Sequence, residues 1–116
     1  MRTFIKSLSF ALKGIKEVFL ERNFKIEIFI GLFAIIASFV IKTSLIDKEV
    51  IILCIGLVLG SETMNTAAEQ LADFVSPGHR DEIRRTKDLM AAAVLIFSIM
   101  SLIIGIVIFG NALFHA

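Results

Sequence analysis

The stretch from Val50 to Val75, VIILCIGLVLGSETMNTAAEQLADFV, decides the fold of this 116-residue chain. As a helix it would measure about 39 Å, enough to cross the ~30 Å hydrocarbon core of a bilayer. It also carries four polar residues at spacings of three, four and four: Glu62, Asn65, Glu69 and Asp73. That spacing places them within about 80° of one another on one helical face. Because such groups are costly in apolar surroundings unless paired or metal-bound, this face is a predicted functional site.

The composition indicates one membrane-embedded domain. Hydrophobic residues make up 57% of the chain, and the mean hydropathy of +0.88 is far above that of a soluble domain. The net charge of +1 gives no bias toward nucleic acid, and no nucleic-acid partner is expected. Cys54 is the single cysteine, which excludes an internal disulfide, and we expect a buried free thiol. The charged N-terminus does not resemble a cleavable signal peptide.

Periodicity predicts an all-α membrane protein with a surface helix followed by three spans. Residues 3–21 alternate apolar and basic positions at helical spacing, which predicts an amphipathic helix at the membrane interface. A helix that binds a soluble partner is the weaker alternative. The predicted spans cover residues 24–41, 50–75 and 89–109, joined by a polar link at 42–49 and, after the break at Ser76-Pro77-Gly78, a charged loop at 79–87. Lys25 and Glu27 lie at the start of the first span, where their side chains could snorkel to the interface.

The basic residues predict the orientation. Of the 12 lysines and arginines, six precede the body of the first span, four lie between the second and third spans, and two lie between the first and second. The positive-inside rule therefore predicts a cytoplasmic N-terminus and second loop. Glu21, Glu69, Asp73 and the Lys87-Asp88 pair would then converge on the cytoplasmic side.

This convergence suits phosphoryl transfer from ATP. Glu21 and Glu69, from different helices, could hold Mg²⁺ together with phosphate oxygens. Lys87 could neutralise phosphate charge, and Asp88 could orient the nucleotide or its metal. Glu62 lies deeper and could accept the proton of an alcohol presented from the bilayer, with Asn65 between the two levels. No GxxxxGK[ST] sequence is present, so a P-loop is excluded.

Simpler interpretations exist for several of these residues. Asp88, at the start of the third spanning helix, could serve only to stabilise the positive end of that helix's dipole. The arginines of the second loop could be topological signals. Gly56 and Gly60 form a GxxxG, which predicts close helix packing away from the acidic face. Three spans enclose so many polar groups poorly, which favours an oligomer.

At three places the chain resembles the small bacterial integral-membrane lipid kinases, diacylglycerol kinase and undecaprenol kinase. The family pattern Glu-x-x-Asn-[Thr/Ser]-Ala-Ile-Glu-x-x-x-Asp is matched from Glu62 to Asp73, with Ala68 at the Ile position. Lys87-Asp88 precedes an Ala-rich helix, as in the family, and Glu21 to Ile26 matches its early Glu-[Lys/Arg]-Asn-Phe-[Arg/Lys]-Ile. Gly78-His79-Arg80 departs from the usual Glu-Tyr-His, which questions nucleotide contacts from that loop.

The resemblance implies a homotrimer in the bacterial cytoplasmic membrane, with composite sites between subunits. It implies Glu62 as the catalytic base, Glu21 and Glu69 as ligands of Mg²⁺-ATP, and Lys87 and Asp88 as nucleotide contacts. Phe10 would match an aromatic residue near the nucleotide, and Asn65 and Asp73 would contact substrate or support the site. We therefore predict an ATP- and Mg²⁺-dependent kinase of a membrane lipid alcohol.

Undecaprenol is the favoured substrate, because the ERNFKI and SLIIGIVIF segments are more similar to those members; diacylglycerol is the alternative. A proton- or cation-conducting oligomer using Glu62, Glu69 and Asp73 as a relay is a candidate of another class. A structural membrane subunit would leave the aligned acids unexplained.

Overall fold

The structure, a computed structural model, describes residues 2–76 and 80–115. These residues form four α-helices and no strand: α1 (Arg2–Val18), α2 (Arg22–Val40), α3 (Leu45–Val75) and α4 (Asp81–Phe114). Three of them, α2, α3 and α4, are long and apolar enough to cross a membrane. The predicted all-α fold with three spans is confirmed. Pro77, Gly78 and His79, which include most of the predicted break and of the divergent loop, lie outside the described residues.

Helix α1 ends three residues earlier than predicted, and a tight turn leads into α2. Backbone hydrogen bonds from Leu20 to Glu17 (3.1 Å) and from Glu21 to Val18 (3.0 Å) form this turn. The rings of Phe19 and Phe24 pack edge to face across it, with centroids 5.2 Å apart. Val18 and Phe24 are buried, so the corner between α1 and α2 is fixed by apolar packing, whereas the remaining side chains of α1 are exposed.

A polar clasp closes the turn between α2 and α3. Thr43 donates to the carbonyl of Ser38 through both its hydroxyl (3.0 Å) and its backbone N–H (3.2 Å). The Lys48 ammonium donates to the Thr43 carbonyl at 2.6 Å and lies over the Phe39 ring, 5.0 Å from its centroid. Thr43 therefore ties the turn back to Ser38 in the last turn of α2, and Lys48 ties the same residue to the start of α3.

Helix α3 begins at Leu45, so the predicted polar link at 42–49 is too long. The reason is a capping box: Ser44 accepts a hydrogen bond from the Asp47 N–H (3.1 Å), and Asp47 accepts from the Ser44 N–H (3.4 Å). These reciprocal bonds satisfy N–H groups that a helix start leaves unpaired. The helix consequently extends 31 residues, about 46 Å at 1.5 Å per residue.

Helix α4 begins at Asp81, so the prediction of a charged loop up to residue 87 is wrong. Asp81 and Glu82 occupy its first turn, where acids favour the positive end of the helix dipole. Lys87 and Asp88 consequently lie inside the helix, near the end of its second turn. The dipole explanation therefore applies to Asp81 and Glu82 and does not account for Asp88.

Helices α2 and α4 both pack on α3 rather than on each other. At Gly31 of α2 an added Cβ would meet the Cγ2 of Ile55 at 3.1 Å, so glycine allows α2 and α3 to approach closely. The predicted packing at Gly56 and Gly60 is not formed within the chain, because nothing lies within 4 Å of an added Cβ at either glycine. Most large apolar side chains of the three spans face outward, where lipid or another copy of the chain would cover them.

Candidate active site

The predicted face of α3 passes from buried to exposed along the helix. Glu62 and Asn65 are only 6% and 8% exposed, whereas Glu69 and Asp73, one and two turns closer to the end of α3, are exposed. Neighbouring hydroxyls do not contribute to this face, since Ser61 and Thr63 donate to the backbone carbonyls of Val58 and Leu59. The face therefore connects a buried site between the helices with an exposed one near the C-terminal end of α3.

Asn65 joins the two levels of this face. Its Nδ2 donates to the Oε1 of Glu69 at 3.3 Å. Its Oδ1 is buried and accepts no hydrogen bond from any described residue. Because a buried polar atom without a partner is rare, this oxygen is available to a donor from a bound ligand or water.

Glu27 of α2 is a site residue that the sequence did not reveal. Its carboxyl group lies within hydrogen-bonding reach of Glu62, and its Oε2 is buried without a hydrogen-bond partner among the described residues. The expectation that Glu27 snorkels to the interface is therefore wrong. Two carboxyl groups close together in largely apolar surroundings are costly, which marks the Glu27–Glu62 pair as a candidate functional site.

The only signal for Glu27 in the sequence was its acidic type within an apolar segment. Residues on one helix reveal their shared face through spacing, but the register between two helices depends on packing. Here the register follows from contacts such as Gly31 with Ile55.

Lys87 of α4 forms an ion pair with Asp73 of α3. Side chains on a helix lean toward its N-terminus, so Lys87 reaches back toward the end of α3. The pair is partly solvent-exposed, with side-chain exposures of 36% for Lys87 and 63% for Asp73. The structure thus brings two predicted site residues together within one chain.

Glu21, Asp88 and Phe10 are not joined to the others. Glu21 occupies the N-cap position of α2, but its carboxylate makes no capping hydrogen bond. Neither Glu21 nor Asp88 pairs with another predicted site residue in the described part of the chain. Phe10 is 65% exposed on α1, and the Lys13 ammonium lies 5.6 Å from its ring centroid.

The available carboxylates suit Mg²⁺ by their chemistry. Among the described residues, no three His, Cys, Asp or Glu side chains converge to hold a metal. Mg²⁺ bound to nucleotides, however, takes only one or two carboxylates and completes its shell with phosphate oxygens and water. Glu69, which uses one oxygen for Asn65, and Glu21, which uses none for capping, fit that requirement.

An apolar groove leads toward the Glu27–Glu62 pair. It has a volume of about 570 Å³, with α3 as its floor and α2 and α4 as its walls, and Glu27 is one of its lining residues. Apart from Glu27, Ser98 and Ser101, its lining is apolar. Cys54 lines this groove as a free thiol and is partly buried, so the expectation of a buried thiol is met only in part.

Comparison with known proteins identifies the family. A family model described as prokaryotic diacylglycerol kinase matches residues 9–109. The undecaprenol kinase of Bacillus subtilis (strain 168) is 34% identical over 110 residues, which cover 94% of this chain and 89% of that protein. A diacylglycerol kinase of Synechocystis sp. is 33% identical over 101 residues, which cover 85% of this chain and 58% of that protein. No solved structure matches the chain. The chain belongs to the prokaryotic diacylglycerol kinase family.

Proposed function

We propose that this lipid kinase transfers the γ-phosphate of ATP to the hydroxyl of a membrane lipid alcohol, undecaprenol. The observation that carries the proposal is the contact between the buried Glu62 and Glu27 beside an apolar groove. A carboxylate held at the end of an apolar groove can act as a general base toward a lipid hydroxyl. The groove offers a place for an apolar chain.

The lipid chain would lie in this groove, with its hydroxyl next to the carboxyl pair. Glu27 lines the groove and also contacts Glu62, so a chain in the groove would present its polar end to both acids. Pockets with apolar walls and a few polar groups are typical of small-molecule sites. A water-soluble alcohol has no apolar chain that would fill such a groove.

In the proposed reaction the lipid hydroxyl attacks the γ-phosphorus while Glu62 accepts its proton. The new bond joins the lipid oxygen to phosphorus, and the bond between the γ-phosphorus and the bridging oxygen of ADP breaks. Glu27 orients Glu62, and Asn65 holds Glu69 in place through the hydrogen bond from its Nδ2. Phosphoryl transfer is mainly a matter of such positioning and of charge stabilisation.

Glu21 and Glu69 would hold Mg²⁺, which neutralises phosphate charge when bound. Support comes from the helix register. Helices α2 and α3 are antiparallel and Glu27 lies beside Glu62, so Glu21, about six residues before Glu27, is level with the position about six residues after Glu62. That position is next to Glu69. Lys87 and Asp88 would contact the nucleotide, with Phe10 of α1 nearby.

The same proposal places α1 on the cytoplasmic surface of the bacterial inner membrane and assembles the chain as a homotrimer. Its support is the exposed basic and apolar surface of α1, the open glycines Gly56 and Gly60 and the outward-facing apolar side chains of the spans. If each site combines subunits, inactive Glu21→Gln and Glu62→Gln chains should recover activity when co-assembled. Mixed trimers without activity would mean either that both roles come from one subunit or that these roles are wrongly assigned.

Diacylglycerol is the second candidate substrate, since one of the relatives carries that name. Undecaprenol is favoured because the chain spans 89% of the undecaprenol kinase but 58% of the diacylglycerol kinase. The test offers each lipid separately to the purified protein in detergent with labelled ATP, and Glu62→Gln is the control. Phosphorylation of undecaprenol well above diacylglycerol would support the proposal, and the reverse preference would overturn the choice of substrate. Family membership favours either lipid kinase over the conducting oligomer.

A further inference from the structure

The ion pair between Asp73 and Lys87 has a consequence for nucleotide binding. Lys87 is the cation that the proposed function places on the phosphates, and the structure shows it engaged with Asp73. Among the residues that the structure describes, this is the single side-chain hydrogen bond between α3 and α4. It therefore determines where the lysine ammonium lies relative to the acidic face of α3.

Lysine needs such a constraint more than most residues. Its ammonium is a compact charge on a flexible four-carbon stem, and ordering that stem costs conformational entropy. The N-terminal end of α4 carries three other cations: Arg80, Arg84 and Arg85. Of these, Arg84 lies 3.8 Å from Asp81 of its own helix and does not reach α3. Asp73 therefore holds the ammonium of Lys87 at α3.

The location of Asp73 places the bound Lys87 ammonium near the proposed metal site. Asp73 follows Glu69 by one helical turn on the same face of α3, and Glu69 is the proposed metal ligand. An ammonium held by Asp73 lies about one turn from the metal-bound phosphates. A carboxylate has two oxygens with about four acceptor sites, and an ammonium has three donors. Lys87 can thus keep its bond to Asp73 while donating to a phosphate oxygen.

We propose that Asp73 is a positioning residue, which acts through Lys87 to order the ammonium for the phosphates of ATP. This inference rests on the proposed kinase function. It differs from a role of Asp73 as a metal ligand or a direct nucleotide contact, because the effect of Asp73 then depends entirely on Lys87. It also differs from an inhibitory pair, in which Asp73 would compete with the nucleotide for the lysine.

The first test measures KM for MgATP and kcat in Asp73→Asn, which keeps the shape of the side chain and removes its charge. The expected result is a rise in KM of roughly fivefold, the scale of one partly exposed ion pair, with a smaller change in kcat. Lys87 contacts the phosphates before and during transfer, so its positioning affects mainly binding. Asp81→Asn is the matched control, because it removes the same charge at the same end of the helix bundle without touching Lys87. The KM of this variant should equal that of the wild type. An unchanged or lowered KM in Asp73→Asn would overturn the proposal.

The second test repeats the substitution in a chain that already carries Lys87→Met. If Asp73 acts through Lys87, Asp73→Asn should have no further effect there, since the double-mutant cycle isolates the coupling between the two residues. A further fivefold loss in this background would overturn the proposal and indicate a direct contact of Asp73 with metal or nucleotide. MgATP binding, measured by calorimetry alongside turnover, distinguishes failure of the proposed kinase function from failure of the proposed role of Asp73. A wild-type protein that neither binds MgATP nor phosphorylates lipid would refute the proposed function, whereas an active wild type with an unchanged Asp73→Asn variant would refute this inference alone.

Discussion

Glu27 of α2 and Glu62 of α3 lie close together between the helices, with Glu27 partly buried and Glu62 only 6% exposed. This pair links the apolar groove between α2 and α4 with the acidic face of α3. An acid pair in such surroundings lowers stability, because burial of charged or unpaired polar groups costs free energy. We therefore expect the pair to serve the reaction rather than the fold.

The first prediction separates the stability and the activity of this pair. Glu27→Gln replaces an acid by an amide of the same size that can donate a hydrogen bond to Glu62. We expect the melting temperature in detergent to stay equal or rise, while kcat falls roughly tenfold because Glu62 becomes a weaker base. Thermal unfolding and steady-state kinetics on one preparation check both. A lower melting temperature with a normal kcat would show that the pair serves only the fold.

The second prediction concerns the metal. Glu69→Gln keeps the contact with Asn65 but removes the charge that would bind Mg²⁺. We expect apparent Mg²⁺ affinity and turnover to fall together, each by roughly tenfold or more. A titration of activity with Mg²⁺ at saturating ATP measures this. Glu49→Gln, an exposed acid at the opposite end of α3, is the control and should behave like the wild type. A Glu69→Gln titration curve that coincides with the wild-type curve would exclude this role.

The third prediction concerns the clasp between α2 and α3. Lys48→Met removes an ammonium that donates to the Thr43 carbonyl at 2.6 Å and lies over Phe39. We expect the free energy of unfolding to fall by about 1 to 2 kcal/mol, the scale of a charged hydrogen bond. KM and kcat should stay unchanged, because the clasp lies at the opposite end of α3 from Glu69. Lys42→Met, which changes an exposed neighbour of the clasp, is the control for unfolding. Equal stability of the two variants would contradict the importance of the clasp.

The sequence predicted those features that depend on one helix at a time. The spacing of Glu62, Asn65, Glu69 and Asp73 predicted a shared face, and the structure buries its first two members. Long apolar runs predicted the three spans, because length and hydropathy suffice for that.

Features that depend on two helices or on a helix start were predicted less well. Glu27 resembles an interface residue until α2 is packed on α3, since only the register places it beside Glu62. Asp81 and Glu82 begin α4 within a segment that is polar on all sides, so no hydrophobic periodicity marked it as helical. The start of α3 is different, because Ser44 and Asp47 form a capping-box pattern in the sequence. That pattern by itself indicates a helix that begins at Leu45.

The most direct test of the central claim is the kcat of Glu62→Gln with the preferred lipid at neutral pH. Glutamine keeps the size of the side chain and can donate an amide hydrogen bond to Glu27, but it cannot accept a proton. If Glu62 is the general base, kcat should fall by at least about 10²-fold, while oligomer assembly and MgATP binding are retained. A Glu62→Gln variant with near-normal kcat would contradict the account. A lowered melting temperature would then assign the buried acid a structural hydrogen bond instead.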